Sequence, residues 1–130
     1  MLSNIRTISL NGLDGYIINV QVDVSSGMPT WEVVGLAGAC IKESKERIRI
    51  AIKNSGYKLN SRKIVINLAP ANIRKEGSFL DLPISIGLLM SAGIIKKLNL
   101  SDYILIGELS LNGNLNSVKG VLPMCIEAQK

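Results

Sequence analysis

Histidine does not occur in the 130 residues. Its absence excludes histidine triads, imidazole proton shuttles and histidine metal sites, and no cluster of cysteines and acids stands in for it. Aromatic residues are scarce, with one Phe, one Trp and three Tyr, too few for a platform on which single-stranded bases stack. The two cysteines, Cys40 and Cys125, lie far apart without a partner motif, which fits a reducing compartment better than a disulfide scaffold. The longest uncharged stretch, Leu82 to Ile95, has 14 residues, short of the roughly 20 that span a bilayer. Polar residues and Arg6 interrupt the N-terminus, so it lacks the apolar stretch of a secretory signal. The expectation is a cytoplasmic protein with no membrane contact. A phosphate-cradling Gly-x-x-x-x-Gly-Lys-Ser/Thr loop is also missing, and Gly35-Leu-Ala-Gly38 has neither the lysine nor the spacing. That segment reads as a tight strand-to-helix turn, with anion binding at the helix N-terminus as the alternative. The chain alone is expected to hold no metal or cofactor and to hydrolyse no nucleotide.

What is present is enough for a core. Apolar residues make up 47% of a 14.0 kDa chain, and a single domain of that size buries roughly two thirds of its unfolded surface. The net charge of +5 is unevenly placed. Residues 41–80 hold ten basic and three acidic side chains, while the flanking parts are slightly acidic or neutral. Such a segment reads either as a solvated helix face or as the footprint of an anionic partner.

The first third follows the period of strands. In residues 16–24, Ile18, Val20, Val22 and Val24 alternate with Asn19, Gln21 and Asp23, the pattern of a half-buried strand. Asn4 to Leu10 repeats it more weakly, with a turn at Leu13-Asp14-Gly15, and a third strand is expected over Thr30 to Leu36. Short turns between the three predict an antiparallel meander. From Ala39 to Ser55 the period becomes helical, with Ile41, Ser44, Ile48, Ala51 and Ile52 on one face and Gly56 as the stop. Lys63 to Ala69 is nearly continuous in apolar residues and predicts an interior strand. Asp81 is placed to cap a second helix that is apolar all round and therefore buried, with Gly87 allowing close packing. A short strand at Tyr103 to Gly107 and a hairpin through Asn112-Gly113 follow. After Gly120 the chain turns helical. The expected order, βββαβαβββ with a third helix begun, describes an α/β (α+β) two-layer sandwich with one mixed sheet and helices on one face.

Without histidine, the plausible hydrolytic arrangement is a serine with a desolvated lysine. Ser78, in a Gly-Ser loop before a helix N-terminus, and Lys119, beside Gly120, are the candidates; the plainer reading makes them a turn residue and a surface charge. For contact with nucleic acid or another subunit, the candidates are Arg74 and Lys75 in the loop before Asp81, and Arg47 and Arg49 on the first helix.

Five blocks carry a resemblance that spans about residues 5–130: Gly27-Met-Pro-Thr-Trp-Glu-Val-Val-Gly-Leu36, the helix Ile41 to Gly56, Asn67-Leu-Ala-Pro-Ala-Asn-Ile-Arg-Lys-Glu-Gly-Ser78, Asp81-Leu-Pro-Ile84, and Gly107-Glu-Leu-Ser-Leu-Asn-Gly113. In this order they resemble the N-terminal domain of the magnesium-chelatase-like AAA+ ATPases, the ComM/YifB competence-protein family. Ala37 stands where that family usually has Pro, and Phe79-Leu80-Asp81 where it has Gly-Phe-Asp. The resemblance implies the fold of the Lon protease proteolytic domain, shared with domain 2 of a small-subunit ribosomal protein. In Lon-like proteases the nucleophilic serine opens the helix matching the one near Asp81, and the lysine falls where Leu122 stands. Neither residue is present, so the resemblance implies a non-proteolytic relative. It further implies that residues 1–130 are one accessory domain, cut off before a downstream AAA+ module. ATP and magnesium then belong to the full-length protein, which is expected to form a homo-oligomeric ring, a hexamer, that moves DNA. The isolated domain is expected to bind DNA weakly. A Lon-type Ser–Lys peptidase and a subunit of a magnesium chelatase are the alternative readings.

Overall fold

A computed structural model describes residues 2–11, 14–59, 62–71, 73, 75, 77–116 and 128. Strand β1 (Leu2–Asn11) pairs antiparallel with β2 (Asp14–Ser25). Strand β3 (Thr30–Val34) leads into helix α1 (Ala39–Asn54) and strand β4 (Lys63–Ala69). A 3-10 turn (Ser78–Leu80) opens helix α2 (Asp81–Ser91), and a hairpin of β5 (Glu108–Leu109) and β6 (Leu115–Asn116) follows. No helix among the described residues is long and apolar enough to cross a membrane.

The main sheet runs β1-β2-β4-β3, and it is mixed. The strands β3 and β4 are parallel, with Trp31 opposite Ile64 and Val33 opposite Ile66. This corrects the expected meander. A period of two says which face a residue takes but not which strand lies beside it. Strand β4 inserts between β2 and β3, because the 16 residues of α1 supply the crossover that a parallel pair requires. Its near-continuous apolar sequence suits that interior place. The expected turn at Leu13-Asp14-Gly15 is also displaced, since Asp14 and Gly15 already pair with β1.

One face of the sheet carries the core. Ile5, Ile18, Val20, Val22, Ile66 and Leu68 are essentially without exposure. Both helices pack on this face. Helix α1 contributes Ile41, Ser44, Ile48, Ala51 and Ile52, the stripe read from the sequence, and Gly56 with φ of 91° follows its end. Helix α2 is buried almost all round. A Cβ on Gly87 would lie 2.7 Å from Val22 Cγ2, so only glycine lets the helix sit this close to β2. The Ser91 hydroxyl donates to the Val22 carbonyl at 2.9 Å and fixes the end of α2 on the same strand. The opposite face of the sheet exposes Asn4, Arg6, Ile17, Glu32, Val34 and Lys63.

Two further expectations change. Asp81 is not the cap of α2: it is helical itself, with φ of −55°, and Leu80 precedes it at the cap position without a side-chain hydrogen bond. Residues 103–107 do not form a strand. Their backbone is shared out, with Leu105 N donating to Arg6 O, Gly107 N to Phe79 O, and Gly107 O accepting from Leu82 N. The β5/β6 hairpin makes a separate two-stranded sheet. The expected return at Val118 and the third helix after Gly120 lie outside the described residues.

Candidate functional site

Strands β3 and β4 are parallel, so their C-terminal ends meet at one edge of the sheet and their loops must be joined there. Lys75 does the joining. Its N–H donates to Leu36 O and its carbonyl accepts from Gly38 N, both at 2.9 Å. Its ammonium donates to Gly35 O at 2.9 Å and to Pro70 O. The side chain is wholly buried, and that loss of water pushes its pKa down. The chain bends sharply to present these carbonyls: Gly35 has φ of 101°, and a Cβ there would lie 2.2 Å from Leu68 O. Leu36 follows in the left-handed region at φ 56°. The peptide Ala69-Pro70 is cis. The turn Gly35–Gly38 is thus occupied by a cation of the chain itself, and its carbonyls, not a nest of N–H groups, face that cation.

A second polar group forms where α1, the start of α2 and β5 meet. Arg47 Nε lies 3.0 Å from Asp81 Oδ2, and Nη2 lies 3.2 Å from Oδ1. Leu109 N donates to Asp81 Oδ2 at 3.1 Å. Asp81 is wholly buried, and the Arg47 side chain is 29% exposed. Arg47 Nη2 also donates to Ser44 Oγ at 2.9 Å, and Ser44 donates to Cys40 O at 3.1 Å. The sequence places Ser44 one turn before Arg47 on α1, so the guanidinium reaches both. Its hydrogen bond with Asp81 raises the Arg47 pKa against the opposing effect of burial. A carboxylate in the first turn of α2 also suits the positive end of that helix.

Ser78 stands beside this clasp. Gly77, with φ of 117°, turns the chain into the 3-10 turn, and the Ser78 hydroxyl donates to Glu108 Oε2. Asn116 Nδ2 donates to Glu108 Oε1 at 3.2 Å. These two hydrogen bonds, Ser78 first, hold the Glu108 carboxyl below its ordinary range. A carboxylate stabilised in this way accepts a hydrogen bond from serine and is a poor base toward it.

The sequence candidates separate accordingly. Lys75, proposed for outside contact, is buried on backbone carbonyls and reaches no partner. Arg47 is committed to Asp81. Arg49 is exposed and pairs with Glu46 at 2.6 Å. Arg74 and Lys119 lie outside the described residues, as does Cys125, while Cys40 is an exposed free thiol. Among the described residues, the buried lysine and Ser78 have different partners, and no group of three His, Cys, Asp or Glu could hold a metal ion. Sequence reasoning missed Asp81 and Glu108 as the centres of the polar cluster. Their block positions were visible, but their partners lie 34 and 30 residues away.

The family model for the ChlI subunit of Mg-chelatase matches residues 20–130. The chain is 43% identical to the uncharacterized protein YifB of Escherichia coli K12 over 129 residues, which is 99% of this chain and 26% of that protein. It is 37% identical to the competence protein ComM of Haemophilus influenzae over 119 residues, covering 92% of this chain and 23% of the relative. The uncharacterized protein Rv2897c of Mycobacterium tuberculosis H37Rv is 34% identical over 124 residues, 95% of this chain and 25% of its own length. The chain spans about a quarter of the length of these relatives. On the match across residues 20–130, the chain belongs to the family of the ChlI subunit of Mg-chelatase.

Proposed function

We propose that the chain is a non-hydrolytic accessory domain, Lon-like in fold, of a longer magnesium-chelatase-like AAA+ ATPase that processes DNA in the cytoplasm. The observation that carries this reading is the likeness to the competence protein ComM, of which the chain covers only 23%. The polar residues support it. Arg47, Asp81 and Lys75 are consumed in joining loops and helices, and the hydroxyl of Ser78 is held by a carboxylate with lowered basicity. The residues here do not fit a nucleotide, since Lys75 fills the only glycine turn that leads into α1 among the described residues. ATP and magnesium belong to the remainder of the longer protein.

The domain's part is to help assemble the ring or to guide DNA. Lys42, Arg49 and Lys53 are exposed along the outer stripe of α1, and they make the DNA-facing set. Such contacts are sequence-blind and fall steeply with salt, at or above roughly micromolar Kd for one domain. A ring multiplies them. The test compares the longer protein with a form lacking residues 1–130. ATP turnover per subunit should persist, while ring assembly or its response to DNA is lost. Unchanged assembly and unchanged DNA response in the shortened protein would remove the proposed role.

A further inference from the structure

Strand β3 ends the main sheet, with β4 on one side only. Thr30 N donates toward β4, to Arg62 O at 3.4 Å. Backbone polar groups alternate along a strand, so those of Trp31 and Val33 point away from β4. Among the described residues, no backbone partner occupies that outer edge. A bare edge of this kind is a template for another strand.

A cleft of about 380 Å³ lies between α1 and the starts of β3 and β4, lined by Trp31 and Ile64 of the sheet, and it meets the β3 edge at Thr30 and Trp31. Trp31 and Leu59 give it an apolar wall. Lys45 and Arg49 line it from the helix, and Arg62 lines it from the start of β4. The acid lining it is Glu46, which is already paired with Arg49. The cleft therefore joins three features: an unpaired strand edge, an apolar floor, and an excess of positive charge. A nucleic acid would use the charge and leave the strand edge idle. An extended acidic peptide uses all three.

We propose that the β3 edge and its cleft form a docking site for an extended acidic peptide segment of a partner protein, which adds to the sheet as a fifth strand. Main-chain hydrogen bonds to Trp31 and Val33 hold the segment in register. Alternate side chains then turn toward α1, where carboxylates meet Lys45 and Arg62. The cleft shares Arg49 with the stripe of α1 assigned to DNA, whereas the strand edge, Lys45 and Arg62 belong to the docking site alone, so substitutions at Lys45 and Arg62 test it separately.

Trp31 is the only tryptophan of the chain, so its fluorescence reads this cleft. The experiment titrates the 130-residue chain with the capped peptide Asp-Val-Glu-Val-Asp. Saturable change in Trp31 emission is expected, at least tenfold weaker with Lys-Val-Lys-Val-Lys. The double substitution Lys45→Glu and Arg62→Glu should weaken acidic-peptide binding at least tenfold. A second measurement leaves the protein untouched: the peptide is N-methylated at either its odd or its even positions. One edge of the peptide pairs and the other faces water, so one set should abolish binding and the other should retain it. Equal affinity of the two methylated peptides would overturn the proposal, as would no response up to millimolar concentration. Displacement of the acidic peptide by oligothymidylate at tenfold lower concentration would make the cleft a nucleic-acid groove instead.

Discussion

Replacing Arg47 by Met keeps the aliphatic stem and removes the guanidinium. The buried Asp81 then loses the donors at 3.0 and 3.2 Å and, among the described residues, keeps only Leu109 N. Breaking a buried pair by removing one partner costs about 3–5 kcal/mol. Arg47 is 29% exposed, so water can enter the vacated place, and the lower end, about 3 kcal/mol, applies. Ser44 also loses a donor, but it keeps its own bond to Cys40 O, and the added cost is at most about 1 kcal/mol. Asp81→Asn is gentler: it retains an acceptor for Leu109 N and leaves a cation that reaches solvent, for about 1.5–2 kcal/mol. Once either partner is gone, the other has less to lose. The double variant should therefore fall short of the sum by about 2 kcal/mol, a coupling that residues in direct contact show. Urea unfolding of the four proteins measures this, with unchanged m-values as the check that the unfolded states are comparable. If Arg47→Met cost less than about 0.5 kcal/mol, the level of an ordinary surface change, or if the two losses simply added, the clasp would not join α1 to α2 as described.

At Gly87, an alanine gains about 1 kcal/mol of helix propensity but forces Val22, 2.7 Å from the new Cβ, to move. Overpacking costs roughly 1–3 kcal/mol, so Gly87→Ala should be a net loss and Gly87→Leu a larger one by thermal melts. Leu88→Asp, at a wholly buried position, should abolish folding, whereas Ile86→Asp at a half-buried one costs less. Glu108, whose carboxyl is held below its ordinary value of 4.5, stabilises the fold above pH 4.5, and the contribution is lost as pH falls through its lower folded pKa. Ser78→Ala should flatten that acid limb in urea titrations taken at successive pH values. Lys75 gives a slope of the same sign for a different reason: its burial cost is full below its lowered folded pKa, and stability rises with pH between that pKa and 10.5. The difference between the chain and Lys75→Met, followed to alkaline pH, isolates this rise. For DNA, Arg49→Glu should weaken binding more than Lys96→Glu, a basic site outside the positive segment, in titrations at two salt concentrations.

Periodicity revealed what faces the core. The stripe Ile41, Ser44, Ile48, Ala51 and Ile52 and the bounds of β4 follow directly from it. Neighbourhood is a different matter. Nothing in the alternation of residues 30–34 distinguishes pairing with β2 from pairing with β4, because both choices bury Trp31 and Val33 equally. The polar cluster was hidden for the same reason. A cap residue is recognised from local spacing, and Asp81 has the right local spacing, but Arg47 and Leu109 compete for its carboxylate from distant parts of the chain. Lys75 was least legible of all. Its neighbours in sequence are Arg74 and Glu76, which suggests a solvated loop, yet the carbonyls exposed by the Gly35 turn make a buried place for one ammonium. The blocks that carry the family resemblance include both Gly35 and Lys75. Motif and structure therefore meet at that loop junction, although the sequence alone gives no reason for it.

Ser78 donates to a carboxylate of lowered basicity, and the proposal of a non-hydrolytic domain stands or falls on that hydroxyl. The direct measurement is a pre-steady-state assay of the chain with an activated nitrophenyl ester, repeated with Ser78→Ala and Lys119→Ala. No burst of nitrophenol is expected, only a slow linear release that is identical in all three proteins. A burst stoichiometric with the chain, abolished by both substitutions, would contradict the proposal and make this domain a Ser–Lys hydrolase.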